Sequence, residues 1–254
     1  MKKLLLSLAL TISLIACVPI HSELVYKIAL TDNLENEVIE SYKKTLKSID
    51  YIEGKNVEYT IYSVDEVDKI KANLIITKDY YPHSEAPVIA YSHNCFVNTV
   101  KSIQEPEGHI TGIMNKHHIQ KLLDYLLKEK YKKIGIVYDN DYTIQVNTLK
   151  IPNNKVSIYK QKINNQNIMK DIDILVLLTS HDISNIITKY KNTPIISHDL
   201  KYLDKVSFVY DVNQQELGKQ LAVMSDKMLI GEANIKEMPI ETIENFKIYK
   251  NEKH

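Results

Sequence analysis

The chain has 254 residues, of which 44% are hydrophobic and 25% are charged, and it carries 32 basic and 32 acidic side chains. This composition is typical of a globular protein, excludes a disordered or fibrous chain, and allows one large domain or two small ones. Every basic residue is lysine. A chain without guanidinium groups lacks the usual bidentate grip on phosphate or carboxylate, and zero net charge argues against nucleic acid as a partner.

The first 17 residues have the pattern of an export signal. Lys2 and Lys3 precede an uncharged stretch from Leu4 to Ala16, which is shorter than the roughly 20 residues that a membrane-spanning helix needs. The stretch ends in Leu14-Ile15-Ala16-Cys17, which resembles the lipobox of bacterial lipoproteins. The resemblance predicts that Cys17 is lipidated and anchors an exported protein to a membrane of the cell envelope. The alternatives are a plain signal peptide with an incidental cysteine and a buried helix.

Beyond this segment, short β-branched runs alternate with amphipathic stretches. The first half predicts strands at 25–30, 57–61, 74–76 and 88–90, with a helix whose apolar residues recur from Leu34 to Leu46. The second half repeats the outline. It predicts a helix around 119–127, strands at 134–138, 156–159, 174–178 and 194–197, a strand at 208–210, a helix ended by Gly231 and a last strand at 246–249. The repetition predicts an α/β fold with two similar βαβ lobes rather than one large sheet.

The sequence contains no phosphate-binding glycine loop, no nucleophile elbow, no zinc-protease motif and no Cys-x-x-Cys. An enzyme is therefore the least supported class. Several histidines follow predicted strands, and a metal-binding receptor that uses His93, His181 and His198 remains an alternative. No cofactor is expected.

Five stretches resemble, in order along the chain, motifs of the substrate-binding proteins of ABC importers, in the subgroup linked to tryptophan or tyrosine uptake. The stretch Ile49-Asp50-Tyr51-Ile52-Glu53-Gly54-Lys55-Asn56-Val57 is similar to that family's "G-Y-x-E-G-K-N-V" turn after the first helix. The stretch Tyr210-Asp211-Val212-Asn213-Gln214-Gln215-Glu216-Leu217-Gly218 is similar to its "Y-G-V-D-Y-Y-E-L-G" segment. The other three stretches are 106–112, 132–139, and 230–232 followed by 238–241. The sequence departs from the family pattern at Asp211, where the family has glycine, and at Asn213, where it has aspartate.

The resemblance implies an α/β fold of the type I periplasmic-binding-protein class, with two Rossmann-like lobes and a ligand cleft between them. It implies a first lobe of residues 18–112 plus 208–238 and a second of 113–207 plus 239–254. The cleft of such a fold lies at the carboxyl ends of the strands. The ligand-binding residues implied by those positions are Thr31, Asp32, Thr77, Ser92 and Asn94 in the first lobe, Tyr138, Asp139, Thr179, Ser180 and Ser197 in the second, and Tyr210 and Asn213 on the returning crossover.

These observations predict a lipid-anchored solute receptor that closes on a small organic molecule and delivers it to an ABC permease with its ATPase. The resemblance implies an aromatic amino acid as the first expected ligand, and tyrosine faces at the cleft would allow its side chain to stack. We expect a monomer that binds no nucleic acid. A surface lipoprotein that keeps the fold without transport is the remaining alternative.

Overall fold

The computed structural model describes residues 24–80, 82–92, 100–106, 108–115, 119–129, 131–151, 157–164, 169–179 and 182–252. The strands in these ranges are β1 Tyr26–Thr31, β2 Val57–Tyr62, β3 Leu74–Lys78, β4 Val88–Ser92, β5 Ile110–Asn115, β6 Lys133–Tyr138, β7 Ser157–Lys162, β8 Ile174–Leu178, β9 Ile195–Ser197, β10 Phe208–Val212, β11 Glu241–Ile243 and β12 Phe246–Lys250. The α-helices are α1 Asn36–Ser48, α2 Ile119–Lys128, α3 Thr143–Asn147, α4 Ser184–Lys189 and α5 Gln214–Leu229.

The strands form two six-stranded sheets, one for each lobe. The first has the order β11-β5-β4-β3-β1-β2 and the second the order β12-β10-β9-β8-β6-β7. The pairings are parallel in the first sheet. They are also parallel in the second, except that β12 runs antiparallel to β10. This architecture confirms the predicted α/β fold with two Rossmann-like lobes.

The central strands are apolar because both faces of each sheet are covered. All five residues of β8 are buried, and so are the first four of β3. Continuous burial is the pattern of parallel strands with packed layers on both sides, whereas a half-exposed strand alternates. The edge strands β2 and β7 show mixed exposure instead. Each sheet therefore has its own core on both faces.

Helix α5 returns the chain to the first lobe and packs against α1. Val38, Tyr42 and Leu46 of α1 share a buried cluster with Leu217 and Leu221 of α5. The two backbones approach closely at Gly218, where a Cβ atom would lie 2.5 Å from the carbonyl oxygen of Val38. Glycine is needed at this crossing because a side chain would collide with backbone.

The chain passes between the lobes three times, after β5, after β10 and between β11 and β12. These passages differ from the boundaries implied by the resemblance. Residues 113–115 of β5 and 241–243 of β11 lie in the first sheet, and residues 208–212 of β10 lie in the second. A run of apolar residues predicts a strand but does not identify the strand beside it, so sequence alone misplaced these segments. In the part of the chain that the structure describes, no helix is long and apolar enough to cross a membrane.

Candidate functional site

A cavity of about 510 Å³ lies between the two lobes, at the carboxyl ends of their strands. This volume lies within the range of small-molecule pockets. It is lined by the loops after β1 and β3 from the first lobe and by the loop after β9 from the second. The lining residues are Asn33, Leu34, Glu35, Lys78, Asp79, Asp199, Leu200 and Lys201. We call this cavity the cleft.

An ion pair between Lys78 and Glu35 forms the wall of the cleft in the first lobe. The side chains of these residues are 17% and 22% exposed, respectively. Burial alone lowers the pKa of the Lys78 ammonium, but the negative charges of Glu35, Asp211 and Asp199 outweigh burial and raise the pKa above its ordinary value. Lys78 therefore carries a fixed positive charge at the cleft.

Thr31 and Thr77 lie behind this wall, in the interior of the first lobe. Both are buried, and the Thr31 hydroxyl lies 3.2 Å from the Thr77 hydroxyl and 2.5 Å from Asn33 Oδ1. The Asn33 side-chain amide in turn donates to the backbone carbonyl of Lys78. The structure thus brings two predicted ligand-binding residues together, but they position the loops of the wall and do not line the cavity.

A second ion pair, between Asp199 and Lys201, forms the facing wall. Lys201 Nζ lies 2.5 Å from Asp199 Oδ2, and Asp199 Oδ1 accepts the backbone N–H of Lys201 at 3.1 Å. Burial raises the pKa of Asp199, but the hydrogen bonds and charge of Lys201 and the charge of Lys78 together lower it below its ordinary value. The predicted Ser197 accepts the backbone N–H of Asp199 over 3.3 Å, so it also acts as a support.

Asp211 lies at the end of β10 and is only 3% exposed. Its Oδ1 accepts the backbone N–H of Val212 at 2.7 Å. Burial raises the pKa of this carboxyl to about 7, with Glu35 and Asp199 adding to the effect and Lys78 opposing it. The first lobe's lysine and the second lobe's aspartates therefore interact across the cleft.

The chemistry of the cleft is suited to a solute with both charges. Each lobe presents one lysine paired with one carboxylate, and each adds one leucine, Leu34 or Leu200. Charge-assisted hydrogen bonds to a ligand carboxylate and a ligand ammonium are stronger than neutral ones. The two ion pairs provide partners for both groups.

Several other predicted residues have structural positions. Tyr138 and Tyr210 are buried in the core of the second lobe, where the Tyr210 ring stacks on Phe246 at a centroid distance of 5.2 Å. Asp139 and Thr179 are buried at the carboxyl ends of β6 and β8. Among the described residues, no aromatic side chain lines the cleft.

Asp32 and Asn213 have backbone partners. Asp32 is exposed and accepts the backbone N–H of Val64 at 3.2 Å. Asn213 caps α5, where its Oδ1 accepts the backbone N–H groups of Gln215 and Glu216 at 3.1 and 3.4 Å. A side-chain acceptor at this position satisfies donors that a helix start leaves open.

His198 is held by the protein on both ring nitrogens. Its Nδ1 lies 3.1 Å from the Leu177 carbonyl and its Nε2 lies 2.9 Å from the Tyr142 hydroxyl. Within the described ranges, no group of histidine, cysteine, aspartate and glutamate side chains is arranged to hold a metal ion. Cys17, His93, Asn94, Ser180 and His181 lie outside the described residues, as does the side chain of Ser92.

The charged residues of the cleft were not among the predicted ligand-binding residues; they are Glu35, Lys78, Asp199 and Lys201. Lys78 and Asp199 stand one and two residues beyond the predicted Thr77 and Ser197, so the correct loops were identified. The signal available was the charge of these neighbours. The charge alone did not show that these side chains face the cleft, because that depends on the pairing of Lys78 with Glu35, which is 43 residues away in sequence.

No protein-family model and no curated protein sequence matches the chain. Solved structures match it in fold. The ligand-free, open structure of CD0873, a substrate-binding protein with adhesive properties from Clostridium difficile, has a TM-score of 0.67 at 18% identity, over 90% of this chain and 93% of that one. An ABC domain in complex with L-Trp from Streptococcus pneumonia has a TM-score of 0.64 at 16% identity, over 90% and 92% of the two chains.

The same fold occurs in transcriptional regulators. A LacI family regulator from Arthrobacter sp., in complex with lactose, has a TM-score of 0.56 at 11% identity, over 89% of this chain and 97% of that one. The neighbours are thus substrate-binding proteins and regulators with a type I periplasmic-binding-protein-like fold. At these identities the likeness establishes the fold, while function has to be argued from the cleft.

Proposed function

We propose that the chain is the solute-binding component of an ABC import system and that it binds a small zwitterionic solute, with an aromatic amino acid as the first candidate. The observation that carries the proposal is the cleft, in which each lobe contributes one lysine–carboxylate ion pair. A zwitterion offers a carboxylate and an ammonium that exchange with the two pairs. The protein would act as a receptor and not as an enzyme.

Recognition from both lobes explains how binding becomes a signal. A solute that contacts Lys78 on one wall and Asp199 on the other makes more contacts when the lobes are close together. Such differential contacts shift an equilibrium between open and closed forms. The closed, solute-bound form is then the state that a permease would bind. Lipidation at Cys17 would hold the receptor at the membrane where the permease lies.

The aromatic side chain of the ligand is supported by a neighbour and not by the cleft. The Streptococcus protein was solved with L-Trp, whereas Leu34 and Leu200 are the apolar residues that line the described part of the cleft here. L-Tryptophan is therefore the first probe, followed by tyrosine and aliphatic amino acids.

The chain itself contains no tryptophan, which gives a direct assay. The fluorescence anisotropy of L-tryptophan, excited where tyrosine does not absorb, reports its binding to the full chain purified in detergent. Tryptamine lacks the carboxylate and indole-3-propionate lacks the ammonium, so they are matched controls. We expect L-tryptophan to bind and both controls to bind more weakly. Each control lacks one charged group, so it can interact with the charges of the cleft through one end only. Equal affinity for all three compounds would contradict a cleft that binds both the carboxylate and the ammonium of its solute.

A thermal-unfolding screen extends the test to other solutes. A solute at 100 times its dissociation constant stabilises the fold by about 2.7 kcal/mol. Amino acids, nucleosides, vitamins, sugars and divalent metal ions are the classes to include. Stabilisation by sugars alone would exclude a zwitterion, and stabilisation by metal alone would favour the histidine-based receptor. A folded protein that responds to none of them would favour a surface lipoprotein without transport.

A further inference from the structure

A group of exposed apolar side chains lies at the end of the first lobe where strands β1 and β2 begin, opposite the cleft. Among the described residues, large hydrophobic side chains are exposed at nine positions, and four of the nine lie at this end. The four are Leu24, Ile49, Ile52 and Ile230, which are 67%, 40%, 43% and 51% exposed. We call them the amino-end patch.

Short contacts join the three segments that carry the amino-end patch. At the start of β1, Tyr26 donates its backbone N–H to the Asn56 carbonyl in the loop after α1 at 2.9 Å. The Tyr26 ring lies 5.8 Å from the ring of Tyr51, whose hydroxyl donates to Asp226 Oδ1 on α5 at 2.9 Å. The backbone N–H of Ile230 in turn donates to the Asp226 carbonyl at 3.0 Å. The start of β1, the loop after α1 and the end of α5 therefore form one continuous surface.

A surface of this kind indicates a contact with another molecule. Single exposed hydrophobic residues are common on soluble proteins, whereas several that lie together mark a site that contacts a protein or a membrane. Below the patch, the first lobe already has a complete core, in which Leu46, Tyr51 and Val57 are buried. The exposed isoleucines are therefore not required for the packing of the lobe itself.

The place of Leu24 in the chain favours a membrane as the partner. Leu24 follows the predicted lipidation site, Cys17, by seven residues, and a fully extended chain of that length spans about 25 Å at most. An acylated Cys17 would therefore hold Leu24 within about 25 Å of the bilayer. The amino-end patch is the part of the described structure that surrounds this point of attachment.

The charges around the patch are balanced. Exposed lysines occupy the last turns of α1 and α5, and their long stems can lie along an apolar surface while the ammonium reaches lipid phosphates. Exposed carboxylates of the same loops offset them. The charged residues are Lys47, Lys55 and Lys227 on one side and Asp50, Glu53 and Glu232 on the other. Contact with lipid then depends on apolar area, and a neutral bilayer is the appropriate probe.

We propose that the amino-end patch is a membrane-contact surface, which inserts its apolar side chains into the surface of the bilayer that holds Cys17. The inference rests on the lipid anchorage that is part of the proposed function, and it adds an orientation to that anchorage. Because the cleft lies at the opposite end of the strands, an anchored molecule in contact with lipid exposes its cleft to the solution from which a solute arrives.

The absence of tryptophan from the chain gives a direct test. Single tryptophans are introduced by Ile52→Trp and Ile230→Trp, and the lipidated protein, purified from membranes, is reconstituted into phosphatidylcholine vesicles with or without bromine on the acyl chains. Bromine quenches indole fluorescence only at short range, so we expect a loss of fluorescence in the brominated vesicles for both variants. Ile61→Trp is the matched control, because Ile61 is 57% exposed near the far end of β2 and should keep its fluorescence.

A second pair of variants tests whether the patch acts as a unit. Adding Ile230→Lys to Ile52→Trp places a charge within the patch, and we expect the quenching of the tryptophan to decrease. Adding Ile61→Lys to Ile52→Trp should leave the quenching unchanged. Both changes are at exposed positions, and the melting temperature of each variant shows that the fold is retained.

Three outcomes would overturn the inference. An unmodified Cys17, as measured by mass spectrometry, would remove the tether. Equal quenching of Ile52→Trp, Ile230→Trp and Ile61→Trp would show that lipid contact is not specific to the patch. Emission that shifts to shorter wavelength without quenching by bromine would show that protein covers the patch instead of lipid.

The solute-binding function is tested separately, by L-tryptophan binding to the wild type. If no solute binds but Ile52→Trp and Ile230→Trp are quenched, the membrane contact stands and the solute-binding function fails. If L-tryptophan binds and neither variant is quenched, the reverse holds.

Discussion

The Tyr142 hydroxyl lies 2.9 Å from Nε2 of His198 in a buried contact within the second lobe. Because Nδ1 of this histidine lies 3.1 Å from the Leu177 carbonyl, which can only accept, Nδ1 carries the proton and Nε2 accepts from Tyr142. Burial lowers the pKa of His198, which favours the neutral form of the ring in the folded protein. This pair fixes the loop after β9 that carries Asp199.

Tyr142→Phe should therefore destabilise the protein by about 1–3 kcal/mol, because Nε2 of His198 loses a donor in a buried place. The free energy of unfolding from urea titrations measures the change. Tyr159→Phe is the control, since its side chain is 43% exposed on the edge strand β7. A loss of the same size in both variants would contradict a specific role for the Tyr142–His198 bond.

The same histidine predicts a dependence on pH. Its folded pKa is below its unfolded value, so the unfolded state binds more protons in that interval and stability falls as the pH drops below about 6.5. His198→Gln should remove this component of the pH dependence, as measured by unfolding at several pH values. If the unfolding free energy of the variant depends on pH as strongly as that of the wild type, other groups cause the dependence.

Asp211 predicts the opposite slope. Its folded pKa lies above the unfolded value, so between about pH 4 and pH 7 the folded state holds a proton that the unfolded state has lost. Stability contributed by Asp211 therefore falls as the pH rises through that window, and above it the folded protein contains a buried charge. The effect is at most about 4 kcal/mol, at ~1.4 kcal/mol for each pKa unit.

Asp211→Asn should accordingly raise the melting temperature at a pH above neutrality and change it little near pH 5. Asp79→Asn is the control, because Asp79 is exposed and asparagine tolerates its positive φ of 47°. A variant that is destabilised equally at both pH values would show that Asp211 is held ionised by its surroundings.

The strands of the central sheets could be predicted because their apolar runs are continuous, but β5 could not. Gly112 interrupts its run, with a φ of 154°, and a glycine within an apolar run is a weak strand signal. A Cβ atom there would lie 1.8 Å from the carbonyl oxygen of Ala90. The reason for the glycine is thus the neighbouring strand β4, which the local sequence does not contain.

The cleft was predictable to the level of loops and not of side chains. Parallel strands place their carboxyl ends along one edge, and that rule identified the segments at Thr31, Thr77 and Ser197. Which residue of each segment faces the cavity depends on pairings between distant residues, such as Lys78 with Glu35. Tyr138 and Tyr210 show the same limit, since their rings pack into the core of the second lobe.

The close crossing of α1 and α5 leads to a packing prediction. Gly218→Ala would place a Cβ atom 2.5 Å from the Val38 carbonyl oxygen and 2.9 Å from the Tyr42 backbone nitrogen. Since backbone atoms cannot move aside as a flexible side chain does, the helices must separate, and we expect a loss of about 1–3 kcal/mol in unfolding free energy. Val223→Ala, on the exposed side of α5, should have little effect.

Lys201 allows the sharpest test of the cleft, because its side chain is 53% exposed and its removal should leave the core intact. Lys201→Met removes the cation of the second wall while keeping the length of the side chain. We expect L-tryptophan affinity to fall about tenfold or more, since a charged hydrogen bond contributes about 1.5–3 kcal/mol. Lys205→Met is the matched control, because Lys205 is an exposed lysine of the same segment that does not line the cleft. Equal affinity in the two variants would place the solute carboxylate on Lys78 or outside the cleft.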